Sequence, residues 1–358
     1  MESITIIKPD DWHLHLRDGD LLKAVIFSSS NHFQRALVMP NLSPPITTVK
    51  MAEEYKNRIC VANRAVLEKI RGKNFDASWS FNPYMTIYLN SEISSQELKK
   101  VSESPDVLAV KFYPAGATTN STFGVSEFES YYNIFEQMEK LGIVLCVHGE
   151  SINPEVDVFD REARFIEESF DPMTRRFPGL RVVFEHISTS DAVNFVNGQN
   201  KNVVASVTPQ HLAYNRNNLL AGKLRPHKYC APLLKKEADR SSLVHAVTAE
   251  SNEKFFLGTD SAPHLIGEKE SSCGCAGCFS APHALAKYAE VFSAEGKLEN
   301  LENFASVNGA KFYGLPVNNE KLKLVQSNNI AEDFFMTEKG EKIVSFVNGE
   351  TLCWQVVN

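Results

Sequence analysis

Trp12-His13-Leu14-His15-Leu16-Arg17 sets two imidazoles in alternation with apolar side chains. In an extended strand, residues two apart share a face, so His13 and His15 point the same way. Neutral imidazole is the commonest metal-donating side chain. Two of them converging at the end of an apolar strand make half of a metal site. Alone, the pair also reads as two hydrogen-bonded surface histidines, and the rest of the chain decides between these readings.

Moving outward, β-rich runs recur at residues 12–15, 36–39, 85–89, 108–113, 143–148, 182–186, 203–207 and 255–258. Stretches with helical spacing lie between them, among them 48–70, 127–141, 161–170 and 236–248. Continuous apolar strands alternating with helices specify a parallel sheet covered by helices. Eight such units predict an α/β fold, a closed (β/α)8 TIM barrel. A doubly wound open sheet is the alternative, but no Gly-x-Gly-x-x-Gly turn follows the first strand. Residues 4–7 read as an extra strand before the barrel. After Pro316, residues 333–337, 342–347 and 352–357 read as short strands joined by Lys339-Gly340 and Asn348-Gly349 turns. The expectation is one barrel domain over residues 1–358, with 317–358 a β-rich C-terminal extension packed on it.

The chain has 358 residues, 43% of them hydrophobic and 23% charged, the balance of a soluble globular protein. A net charge of −7 argues against nucleic acid as the main partner, because phosphate binding needs a basic face. Met1-Glu2-Ser3-Ile4 shows no charged segment leading into an apolar run, so no secretion signal is expected. No stretch approaches the roughly 20 apolar residues that span a bilayer. Seven cysteines, an odd number and mostly scattered, suggest free thiols in a reducing compartment.

In barrels of this kind the chemistry sits at the C-terminal strand ends. The first strand ends in His13-Leu14-His15. The fourth carries Lys111, the fifth ends in His148, the sixth in His186 and the eighth in Asp260. Singly, each has a plain explanation: His148 or His186 as a satisfied core histidine, Asp260 as the N-cap of a following helix. Together these explanations require several independent coincidences of placement. A lone ammonium on a buried strand is costly unless neutralised or paired. Lys111 is therefore a neutral Schiff-base lysine, an ion-pair partner of Asp260 or Glu185, or a carbamate formed with CO2 and able to bridge two metals. Schiff-base chemistry has no use for four histidines, so the carbamate fits the neighbours best.

This set resembles the binuclear amidohydrolase superfamily. Longer motifs resemble the dihydroorotases of the short bacterial-type class: residues 11–19, Met39-Pro40-Asn41-Leu42, Lys111-Phe112-Tyr113-Pro114-Ala115, Thr118-Thr119-Asn120, Thr208-Pro209-Gln210-His211-Leu212 and Gly258-Thr259-Asp260-Ser261-Ala262-Pro263-His264. The match runs from about residue 8 to about residue 315. The resemblance implies two Zn2+ per subunit. His13, His15 and Asp260 hold one zinc and His148 and His186 the other. Carbamylated Lys111 (N6-carboxylysine) and a shared hydroxide bridge them. It implies reversible cyclisation of N-carbamoyl-L-aspartate to L-dihydroorotate with loss of water, the third step of pyrimidine synthesis. The hydroxide is the nucleophile and Asp260 the general base, then acid. Relatives are commonly homodimers, and the free thiols with no secretion signal give a cytoplasmic location as the expectation.

In that family, residues matching Arg17, Asn41 and His264 bind the substrate carboxylate. Arg17 suits this through two parallel hydrogen bonds. The plain alternatives are a solvated arginine, a turn asparagine and a surface histidine. A cation at a helix start is electrostatically poor, which favours a carboxylate grip for Arg17. The residues matching Thr118 and Thr119 sit on a lid over bound substrate. The main chain near Ala276 and Ala231 touches it. Cys273, Cys275 and Cys278 offer only three thiols, where structural zinc usually takes four ligands. A related enzyme acting on a neutral cyclic amide, such as a hydantoinase or dihydropyrimidinase, remains an alternative that Arg17, Asn41 and His264 argue against. A mononuclear deaminase has no use for Lys111. An inactive barrel kept as an interaction protein has no use for a complete ligand set.

Overall fold

The computed structural model describes residues 2–72, 81–117, 119–121, 124–125, 127–272 and 274–357. After strand β1 (Ser3–Ile7), eight parallel strands follow one another in chain order: β2 (Asp10–Leu14), β3 (Arg35–Val38), β4 (Asn82–Tyr88), β5 (Val107–Phe112), β6 (Val144–Val147), β7 (Arg181–Phe184), β8 (Val203–Val207) and β9 (Phe255–Leu257). The ring closes just beyond the strand ends. The Asp260 N–H donates to the His13 carbonyl at 2.9 Å, and the His15 N–H to the Ser261 carbonyl at 3.1 Å. Closure removes the open-sheet alternative, since no barrel strand is left with a free edge.

Two apolar layers hold the barrel. Outside it, Val38, Val110, Leu145 and Leu257 pack against helix residues such as Tyr55, Phe135 and Phe292. Inside it, Leu37, Ala109, Cys146, Val183, Val204 and Phe256 pack with Trp12 and Tyr313. Trp12 stacks on Tyr313 with ring centroids 4.6 Å apart. The helix Asn308–Tyr313 reaches this tryptophan because residue 309 is glycine: a Cβ there would lie 2.0 Å from the indole nitrogen.

Alternation along each strand carries this inner row toward the C-terminal ends and turns it polar. Ala109 is followed inward by Lys111, Cys146 by His148 and Val183 by Glu185, two residues on, and Phe256 by Gly258 and then Asp260. Lys111 pairs in register with Cys146, and Cys146 with Val183. The first barrel strand departs from this rule. Its register shifts between Asp11 and Leu14, so Trp12 joins the inner layer while Leu14 joins the outer one. His13 and His15 therefore converge from an irregular strand end, not from a regular strand face.

The tail differs from expectation in one element. Strands β11 (Phe334–Met336), β12 (Lys342–Val344) and β13 (Thr351–Val357) fall where the turns place them. The ten-residue β10 (Lys321–Ile330) was not anticipated, although Lys321-Leu322-Lys323-Leu324 alternates in the strand manner. It is the central strand of an antiparallel sheet ordered β1-β10-β13, so the two ends of the chain share one sheet. Among the described residues, no helix is long and apolar enough to cross a membrane.

Candidate active site

His13, His15 and Asp260 come together at the mouth. Their ligand atoms lie within 4.8 Å of one another, a group suited to a metal ion. The Asp260 Oδ1 is 3.1 Å from His15 Nε2 and 3.5 Å from His13 Nε2. His13 Nε2 is buried and makes no hydrogen bond. Its Nδ1 faces the Glu185 carboxylate at 2.8 Å. That fixes which ring nitrogen carries the proton and leaves Nε2 as a lone-pair donor pointed at the cavity. Burial pushes the Asp260 carboxyl up, but the His15 hydrogen bond and the nearby His13 and Lys111 charges outweigh it and hold it at about 2. Burial takes His15 down to about 4, against the pull of Asp260. Both groups thus stand in the deprotonated, ligating form at neutral pH.

A second group lies alongside. His148 Nδ1 and His186 Nε2 face each other at 3.2 Å, and the His148 Nε2 side is held by Glu150 at 2.9 Å. The His13 and His186 rings are 5.0 Å apart, which joins the two groups into one centre. Lys111 is fully buried, and its Nζ makes no hydrogen bond among the described residues. Burial lowers its pKa, with Glu185 as the chief opposing charge. The amine is 4.8 Å from the Tyr113 ring centroid. An unpartnered, desolvated amine beside four histidines and a carboxylate is a group awaiting a ligand: the donor set fits a metal centre.

The histidines and Asp260 open into a small cavity. His13, His15, Arg17, Asn41, His148 and His186 line it, together with Thr119, Ala231, Asp260 and Ala276. Arg17 binds His264 Nε2 at 3.0 Å and the Pro263 carbonyl at 3.1 Å, so guanidinium and imidazole form one edge. Burial, then the Arg17 charge, drives His264 down to about 2, leaving it neutral. Asn41 donates to the Thr119 carbonyl at 3.1 Å, and the Thr119 hydroxyl to the Ala276 carbonyl at 3.2 Å. Arg17, His186 and Asp260 adopt left-handed backbone, with φ of 57°, 41° and 43°. Strain of about 1–3 kcal/mol per such residue persists only where surrounding contacts enforce it, and here it aims three side chains into one space.

Every candidate residue among those described thus lies at or beside this cavity. Thr118 and Cys273 lie outside the described residues. The Cys230 thiol, buried like that of Cys278, donates to the Pro232 carbonyl at 3.3 Å. His13, His15 and Asp260 form the one group of three such ligands among the described residues. Sequence reasoning offered Glu185 only as an ion-pair partner for Lys111 and passed over Glu150 and Asp11 as supports of the histidines. Glu185 grips His13 and also accepts from Ser206. Glu150 grips His148. Asp11 accepts from the Thr259 N–H at 2.8 Å, the Thr259 hydroxyl at 2.6 Å and the His13 N–H at 3.2 Å. Burial pushes Asp11 up to about 7 despite these bonds. Their one signal was acidic residues next to or two from a candidate histidine.

A family model described as "Amidohydrolase family" matches residues 4–324. A curated dihydroorotase of Acinetobacter baumannii (strain ATCC 17978) is 47% identical over 357 residues, covering 100% of both chains. The crystal structure of a dihydroorotase from Campylobacter jejuni aligns with a TM-score of 0.86 and 32% identity, over 99% of this chain and 98% of that one. A dihydroorotase from Saccharomyces cerevisiae, solved in complex with 5-fluoroorotic acid, aligns with a TM-score of 0.88 and 28% identity, over 100% and 99%.

Proposed function

This chain belongs to the amidohydrolase family, among its dihydroorotases, and from that premise we propose the roles of its residues in interconverting N-carbamoyl-L-aspartate and L-dihydroorotate. It is a hydrolase of cyclic amide C–N bonds, and the reaction serves pyrimidine synthesis. The observation that carries the residue assignment is the convergence of His13, His15, His148, His186 and Asp260 on one cavity edged by Arg17 and His264, with the Lys111 amine buried and unpartnered beneath the same strand ends.

His13, His15 and Asp260 would hold one Zn2+ and His148 and His186 a second. Lys111, converted to N6-carboxylysine by addition of carbon dioxide to its neutral amine with loss of a proton, would complete the set as a carboxylate-like ligand shared by the two ions. Bound zinc supplies an acidified water as nucleophile and a Lewis acid for the amide carbonyl. Arg17, Asn41 and His264 take the substrate carboxylate, with the guanidinium supplying the charge. The Asp260 carboxylate accepts the proton of the attacking water and returns it to the departing ring nitrogen. Thr119, and with it Thr118, closes over the substrate, while the main chain at Ala231 and Ala276 fixes the ring. Glu185 and Glu150 keep their histidines oriented. A neutral hydantoin would leave the Arg17 and His264 edge without a partner, which disfavours that substrate class. The resemblance further supports a cytoplasmic homodimer, and light scattering on the purified chain checks the assembly.

The test is ring opening of L-dihydroorotate in metal-replete, bicarbonate-containing buffer, followed by ultraviolet absorbance, with Lys111→Ala beside wild type. Wild-type turnover is expected, with almost none in a folded mutant of reduced metal content. No wild-type turnover would overturn the substrate assignment and direct the search to neutral cyclic imides. Full activity in the mutant would remove the bridging lysine.

A further inference from the structure

Lys269 is 4% exposed and lies outside the cavity, yet its ammonium is spent entirely on the cavity's walls. Its Nζ donates to the carbonyls of Tyr229 at 2.8 Å, Cys275 at 2.8 Å and Gly277 at 2.7 Å. A lysine ammonium carries three donors, and here three main-chain acceptors use them. Tyr229 precedes Ala231 by two residues, and Cys275 and Gly277 flank Ala276. Both alanines line the cavity. The two segments are also joined directly. The Gly277 N–H donates to the same Tyr229 carbonyl at 2.9 Å.

The consequence reaches the carboxylate edge. Gly277 sits so close that a Cβ there would lie 2.8 Å from the Ala262 carbonyl and 3.0 Å from the His264 ring. The Ala276 carbonyl receives the Thr119 hydroxyl. A shift in 275–277 therefore moves the surroundings of His264, Thr119 and Ala231 together. The geometry points to Lys269 as a positioning residue: its three hydrogen bonds clamp two loops into one wall and thereby set substrate affinity at a site it does not touch. This rests on the dihydroorotase reading for its substrate, but not for the clamp itself.

Lys269→Met keeps the aliphatic stem and removes all three donors. Lys269→Arg keeps charge and donors, but a planar fork does not reproduce three bonds radiating from one nitrogen. The measurements are kcat and KM for L-dihydroorotate, metal content, thermal midpoint, and amide hydrogen exchange in residues 229–232 and 275–278. The expected result is a KM raised tenfold or more in Lys269→Met and less in Lys269→Arg. Here kcat and metal content stay within about threefold of wild type and exchange at Gly277 is faster. A merely structural role would instead lower the active fraction at unchanged KM. That outcome, or wild-type exchange at Gly277 in both variants, overturns the clamp. If Lys269→Met fails to accumulate, Lys269→Arg decides by the same KM and exchange criteria. A wild-type chain inactive on dihydroorotate would refute the substrate reading, and the exchange comparison would still decide the clamp.

Discussion

Glu185 shows how much of the site's chemistry depends on a residue that never faces the substrate. Its carboxylate accepts a hydrogen bond from His13 Nδ1–H at 2.8 Å, and that leaves Nε2 free to ligate. Glu185→Gln keeps the shape but loses the charge that sets the tautomer. A loss of about 10–100-fold in metal affinity or turnover is expected, read by metal titration with the thermal midpoint as control. His211 belongs to the same scale. It is 2% exposed, bonded to the Thr208 hydroxyl at 2.7 Å and the Pro232 carbonyl at 3.0 Å. Burial lowers it to about 4. Since its folded pKa lies below the unfolded value of about 6.5, the unfolded chain binds more protons between these limits. Its contribution to stability is therefore constant above pH 6.5 and declines as pH falls toward 4. His211→Gln should flatten denaturation midpoints across that window, by roughly 3 kcal/mol in full.

At the scale of elements, the strands supply rigidity and the loops supply selectivity. Lys111, His148 and His186 stand on or just past β5, β6 and β7, whose backbone bonds hold them before any ligand arrives. The segment carrying Thr119 and Asn120 is different. It is tied to the rest by side-chain bonds, from Asn41 to the Thr119 carbonyl, from Asn120 to the Asn41 carbonyl at 3.0 Å, and from Thr119 to Ala276. Such a segment opens at small cost. Thr119→Val should lower turnover several-fold while moving the thermal midpoint by less than about 2 °C, the shift of a change below about 0.5 kcal/mol. Equal losses in both quantities would count against a role in closing the site.

For the whole molecule, the tail completes the fold. The buried Asp10 at the start of β2 holds Arg35 at 2.9 Å and Asn318 at 2.8 Å, and Arg35 reaches the Pro316 carbonyl at 2.9 Å. Leu322, Leu324, Ile343 and Trp354 belong to the main core. At about 1.5–3 kcal/mol for each large buried side chain, their loss approaches the roughly 5–15 kcal/mol that holds a typical protein folded. A chain ending at residue 316 should therefore be recovered unfolded or aggregated, as circular dichroism and gel filtration would show, and not as a working barrel.

The strands, their order and the ligand types were legible in the sequence, because apolar periodicity and polar strand ends are local properties. His13-Leu14-His15 and the Asp260 segment announced themselves by composition alone. The pairing of β10 with β1 was not legible, because the partners lie more than 300 residues apart and either sequence is an ordinary amphipathic strand. The carboxylates behind the histidines were not legible either. Glu185 and Glu150 look like any acidic residue until the closed ring brings Glu185 to His13 and turns Glu150 onto His148. The clamp of Lys269 on two loops was hidden for the same reason. Hydrogen bonds to main-chain carbonyls leave no side-chain signature at the accepting positions, so only the folded ring reveals which lysine they receive.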